Sequence, residues 1–238
     1  MSQLQSQPHS QPQSQPQNQP RLPTDTWVKA PWDQYVQQIE QPGYEKAKGY
    51  YLDGWMRIEM LPVSFDHGRD HGTLALAIGL YGVLKSIPFT VLDNSSFRKA
   101  GKREFQPALA YYVGERARLI PNGTSIVNLE VYAPPDLVVE MGKTPIVDDR
   151  TVKRTLYEEA GVSEYWAVDV EQMEIYAFEM AFEMIERGSR RIDESQVLPG
   201  LQITVIEQAL RQSREQDQSQ VGNWLMGQFQ ASESAVTL

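Results

Sequence analysis

From Asp136 to Met141 the chain reads Asp-Leu-Val-Val-Glu-Met, a short apolar run with adjacent β-branched residues that closes on an acid. Such a run is typical of a strand buried in a sheet with both faces covered. The elements around it come in an irregular order. A short helix is expected near Trp32 to Ile39. Asp53-Gly54, set between β-forming residues from Gly49 to Leu61, signals a tight hairpin, because its turn needs positive φ. Asp66 to Ser86 carries Leu74, Ala77, Ile78, Tyr81 and Leu84 at helical spacing, and Pro88 stops it. Phe89 to Leu92 and Phe105 to Val113 read as strands, with a basic loop or hairpin between them. Asp148 and Asp149 are N-cap candidates for a helix from about Arg150 to Ala160, which Gly161 ends. Val162 to Val170 and Met173 to Glu183 form two more strands, Leu198-Pro-Gly-Leu201 a turn, and Ile206 to Phe229 a largely helical stretch. The pattern predicts an α/β domain, a mixed β-sheet flanked by helices with an N-terminal β-hairpin, rather than alternating βαβ units.

Residues 1–22 stand apart. They are almost wholly Gln, Ser and Pro, and cannot offset the entropy of ordering themselves, so a disordered tail is expected there. They lack the basic start and apolar run of a signal peptide. Residues 23–210 are assigned to one domain and 211–238 to a C-terminal helical extension. No run of about 18 apolar residues occurs, so no membrane span is predicted. Without cysteine there are no disulfides, thiolate metal sites or cysteine nucleophiles, and the cytoplasm is the default compartment. The three histidines, one of them in the tail, make a Cys/His zinc site improbable. Any metal would be held by carboxylates, which suits Mg²⁺ or Mn²⁺. A net charge of −9 argues against holding a polyanion through the whole surface. It leaves room for local basic groups at Arg98, Lys99, Lys102 and Arg103 and at Arg187, Arg190 and Arg191, although solvated loops are the ordinary reading of both.

Asp136 and Glu140 invite pairing as metal ligands, but spacing forbids it. Four residues apart on a strand they share a face yet lie about 13 Å apart, whereas Mg²⁺ needs oxygens at about 2.1 Å. A partner for Glu140 must come from another element, and Asp136 is better placed to cap the turn at its strand start. Lys153 stands on the first turn of the next helix with Tyr157 one turn later on the same face. A lysine there opposes the helix dipole, a mild violation that functional residues can show; Lys143 competes for the same role. Glu59 ends the early hairpin. His67 and His71 share a helical face, with a structural or positioning role favoured over metal binding. Phosphate-cradling glycine loops, a nucleophile elbow and a dinucleotide fingerprint are all absent.

Together these segments resemble one family. Leu52-Asp-Gly-Trp-Met-Arg-Ile-Glu-Met-Leu-Pro62 through Asp70-His71-Gly72 is similar to its opening. Pro135-Asp-Leu-Val-Val-Glu140, Lys153-Arg-Thr-Leu-Tyr157 and Gly161-Val-Ser-Glu-Tyr-Trp-Ala-Val-Asp169 resemble its characteristic block, and Leu198-Pro-Gly-Leu201 its ending. The family is the Uma-two group of restriction endonuclease-like domains, in the PD-(D/E)XK nuclease superfamily. The resemblance implies a Mg²⁺- or Mn²⁺-dependent endonuclease that hydrolyses DNA phosphodiesters; a homodimer is one assembly open to the chain. Glu140 matches the motif's acid. Gly142 occupies the usual lysine position, and Lys153 matches the lysine this family carries instead. Ala108 stands where the pattern expects an aspartate, in Phe105-Gln-Pro-Ala108. The family mechanism would have carboxylates hold the ion, with Glu59 a further ligand or acceptor, while the lysine stabilises developing charge. Glu140 and Lys153 would be catalytic; Asp136, His71 and Tyr157 would support them. Gln106 and Glu104 share the strand face but are offset from position 108 by about 7 and 13 Å, so neither replaces the lost ligand. Weakened cleavage is the expectation. The alternative is a catalytically inactive nuclease fold used for binding or assembly; a third reading is a partner-binding protein unrelated to nucleic acid.

Overall fold

The structure is a computed structural model and describes residues 22–60, 64–120, 122–123, 126–142, 149–181 and 188–234. The expected tail up to Arg21, Lys143, Asp148 and Arg187 lie outside these residues. Within them, Asp53 and Gly54 take φ of 42° and 91°, the positive values that a two-residue hairpin turn requires. That turn joins the strands at the heart of the first sheet. Its members are β1 (Val28–Lys29), β2 (Ala47–Leu52), β3 (Trp55–Met60), β5 (Phe97–Lys99), β6 (Arg103–Phe105) and β8 (Val127–Asn128), ordered β1-β3-β2-β6-β5-β8. The turn sets the hairpin register, with Lys48 across from Glu59 and Tyr50 across from Arg57.

The second sheet holds β4 (Phe89–Asp93), β7 (Leu109–Val113), β9 (Leu137–Gly142), β10 (Glu164–Asp169), β11 (Glu174–Ala181) and β12 (Gly188–Ile192), ordered β12-β11-β10-β9-β7-β4. It is mixed: β9 and β10 are parallel and the other neighbours antiparallel. The expected strand Phe105 to Val113 is in fact two strands, one in each sheet. Pro107 lies at the crossing and cannot donate a ladder hydrogen bond, which favours a break there.

Because strand side chains alternate, β9 feeds two cores. Leu137 and Val139 join Leu109, Tyr111 and Trp166 under α2 (Phe65–Leu84), and Val138 joins Ala110, Tyr112 and Tyr165 on the opposite face. That second face is covered by α3 (Arg154–Ala160), through Leu156 and Tyr157, and by Tyr50 of β2. The helical stretch expected from Ile206 to Phe229 resolves into α4 (Ile203–Gln212) and α5 (Gln218–Ser234). Val221, Leu225 and Phe229 of α5 pack in the same core as Leu74 and Ile78 of α2, so the residues beyond 210 are part of the domain. No helix among the described residues is long and apolar enough to cross a membrane.

The remaining helix, α1 (Trp32–Ile39), covers the other face of β2 and β3, where Tyr35 packs with Tyr51, Met56 and Ile58. Gly49 makes that approach possible. A Cβ at this position would fall on the hydroxyl of Tyr35, whose ring is fully buried. Gly49→Ala is therefore expected to destabilise the fold by about 1–3 kcal/mol, seen as a lower denaturation midpoint. The effect bears on function, since Gly49 sits between Lys48 and Tyr50.

Candidate active site

Alternation along β9 sends Glu140 to the same face as Val138, towards α3 and β2. Antiparallel pairing of β7 with β9 matches Leu109 with Val139 and Ala110 with Val138. One step further, that register sets Ala108 across from Glu140. Both are almost completely buried. The position where the resemblance leads one to expect an aspartate thus faces Glu140.

Three elements close on the Glu140 carboxylate. Tyr157 of α3 donates its hydroxyl to Oε1 at 2.5 Å. Tyr50 of β2 donates to the same oxygen at 2.8 Å, with the Gln106 carbonyl as an alternative acceptor at 3.0 Å. Burial, and then the neighbouring Glu140 charge, push the Tyr50 phenol well above its ordinary pKa, so it stays a donor. The Tyr157 ring is wedged against Phe105 and Tyr165, at 5.1 and 4.9 Å between centroids, which fixes its hydroxyl.

Lys153 lies one helical turn before Tyr157, at the end of a wide turn over Asp149–Lys153 that leads into α3. Its Nζ is 2.9 Å from Glu59 Oε1 and 3.7 Å from Glu140 Oε1, and lies 4.1 Å from the centre of the Tyr50 ring. Arg57 Nε reaches Glu59 Oε1 at 2.7 Å. Burial raises the Glu59 pKa, but Lys153, Arg57 and Lys48 together outweigh it, and the carboxyl is held below its ordinary value. Lys48, two residues before Tyr50 on the same face, is the other buried ammonium. Burial lowers its pKa while Glu140 opposes the shift.

Of the residues singled out in the sequence, Glu59, Glu140, Lys153 and Tyr157 converge, with Ala108 facing them. His71 flanks the gap, its Nε2 3.2 Å from the Ala108 carbonyl oxygen and 3.1 Å from Asp93 Oδ1. Asp136 does not join them. At the far end of β9, its carboxylate accepts from the Val113 amide at 2.8 Å and pairs with Arg116 at 2.6 Å, a turn-capping role. Glu104 is taken by Arg98 at 2.5 Å, and the Gln106 amide group donates to the Asn94 carbonyl, so neither fills the gap at position 108. Arg103 is likewise engaged by Glu159, which leaves less of that basic cluster available for nucleic acid.

Lys48, Tyr50 and Arg57 were not singled out from the sequence, although a signal existed. A two-residue turn at Asp53-Gly54 pairs Leu52 with Trp55, and counting back puts Lys48 opposite Glu59 on one face.

A divalent ion is a poor fit to this set of side chains. Mg²⁺ seeks hard oxygen ligands, yet Ala108 offers none in its side chain, and Glu59 and Glu140 share the Lys153 ammonium. In formal charge, Lys48, Arg57 and Lys153 outnumber Glu59 and Glu140, and Asp93 is exposed at the rim beside His71. Among the described residues no three His, Asp or Glu side chains converge to hold a metal. The arrangement is better suited to an anion than to a cation.

Comparison with known proteins agrees with the fold and places the chain. A family model described as "Uma2: Putative restriction endonuclease" matches residues 32–206. No curated protein matches the chain. Among solved structures, a protein of Anabaena variabilis ATCC 29413 described as a "putative nuclease belonging to DUF820" is similar at a TM-score of 0.50 and 14% identity. The likeness covers 76% of this chain and 99% of that one, and it supports the fold alone. With the family match spanning most of its length, this chain belongs to the Uma2 restriction endonuclease-like family.

Proposed function

We propose that the protein engages DNA phosphodiesters in the pocket between β2, β9 and α3, as an endonuclease whose turnover is strongly reduced. The carrying observation is the convergence of Glu59, Glu140 and Lys153 opposite Ala108. The lysine is placed to meet the charge that develops on a phosphate under attack. Glu140, held by two tyrosine hydroxyls, is placed to orient a water or take its proton. Ala108 brings no side-chain oxygen to the position facing Glu140, so the turnover proposed is slow. A second reading, an inactive nuclease fold that binds without turnover, is favoured by one feature: the buried ammonium of Lys48 on the acids' own side of the pocket.

One assay separates the two. Supercoiled plasmid incubated with purified protein and Mg²⁺ or Mn²⁺ should be nicked slowly, and Glu140→Ala should abolish the nicking. DNA retained in gel-shift assays with no nicking under any metal would leave only the binding reading. Failure to retain DNA at low salt would refute both.

A further inference from the structure

Among the described residues, Lys48 has no acceptor of its own at this site. It is 5% exposed, stands across from Glu59 in the hairpin, and feels Glu140, Glu59 and Asp93. Yet among the described residues no acceptor lies within hydrogen-bonding or ion-pairing distance of its ammonium; Glu59 and Glu140 are instead within reach of Lys153. A lysine drawn this far from water with no paired acceptor is held at an energetic cost. Such a group is retained at a site where something else completes its contacts. Beside it, Ala108 brings no side-chain oxygen to the register position facing Glu140.

We propose that Lys48 and Lys153 bind a phosphate group directly, doing with two ammonium groups what a divalent ion would otherwise do. Each ammonium carries three donors, and charge-assisted hydrogen bonds to phosphate oxygens are the strong kind. Arg57 pairs with Glu59 and the two tyrosines hydrogen-bond Glu140, so each acid keeps a partner while the lysines, still beside them, turn their donors towards an incoming anion. That the phosphate is a DNA phosphodiester rests on the function proposed above; the phosphate site itself does not.

The test uses the full chain in EDTA, with inorganic phosphate followed by phosphorus NMR and a short DNA duplex followed by fluorescence anisotropy. The wild-type protein should bind both. Lys48→Met should weaken each by about tenfold or more, the size of one charge-assisted hydrogen bond, with a melting temperature unchanged or raised because an unpaired buried charge is gone. A merely structural lysine would not show weaker binding at undiminished stability. If wild-type protein binds no phosphate, or Lys48→Met binds it equally well, the proposal is overturned. Phosphate binding without duplex binding would keep this site and refute the DNA function. Duplex binding that ignores Lys48→Met would do the reverse.

Discussion

Ala108→Asp is expected to raise Mn²⁺ affinity by about tenfold or more, the size associated with groups that only support a metal ligand. It should also speed DNA nicking by about a hundredfold. The reason lies in register and charge together. Position 108 faces Glu140 across the β7–β9 pair, so an aspartate there would bring a second carboxylate to the same point. It would also bring the acids in the pocket level with Lys48, Arg57 and Lys153 in formal charge, removing the excess that repels a cation. Calorimetric titration with Mn²⁺ and a plasmid assay read the two effects separately. If metal affinity does not change, position 108 is not the ligand gap. If affinity rises and nicking does not, the gap is placed correctly but Glu140 and Lys153 lack the roles proposed for them.

Lys153→Met should have the opposite character and a large effect on stability. It removes the ammonium 2.9 Å from Glu59 and 3.7 Å from Glu140, leaving buried carboxylates short of a partner. Breaking a buried ion pair from one side costs about 3–5 kcal/mol. Arg57 still serves Glu59, which argues for the low end, about 3 kcal/mol. For a chain of this size that is a fall of about 6–12 °C in melting temperature. Adding Glu59→Gln to Lys153→Met should return part of the loss, because one of the stranded charges is then gone. No recovery in the double variant would mean that Lys153 acts by packing on Tyr50 rather than by charge. The contrast with Lys48→Met is informative: two lysines on one pocket, one whose removal destabilises and one whose removal does not.

Much of this was legible before any coordinates. Asp53-Gly54 announced the hairpin because few other residue pairs tolerate positive φ at both positions, and its strands lie in the β-forming residues on either side. The apolar run ending in Glu140 is a buried strand, and the i, i+4 spacing of Lys153 and Tyr157 does bring both to the same carboxylate. Ala108 was found through the family pattern, and pairing then showed what it faces. Other features were not readable. Phe105 to Val113 looks like one strand because its apolar run is almost unbroken, and Pro107 alone hints at the step between sheets. Asp136, by contrast, was readable as a turn cap, since strand rise carries it to the far end of β9, and Arg116 and the Val113 amide hold it there. Lys48 was legible only in part: the hairpin count sets it opposite Glu59, but its burial is a property of the tertiary fold that no local pattern declares.

The anomalous difference map of Ala108→Asp crystals soaked in Mn²⁺ asks most directly whether the two strands meet as described. A peak within coordinating distance of both position 108 and Glu140, with Lys153 beside it, is the expected result. A peak elsewhere, or a side chain at 108 directed away from Glu140, would contradict it.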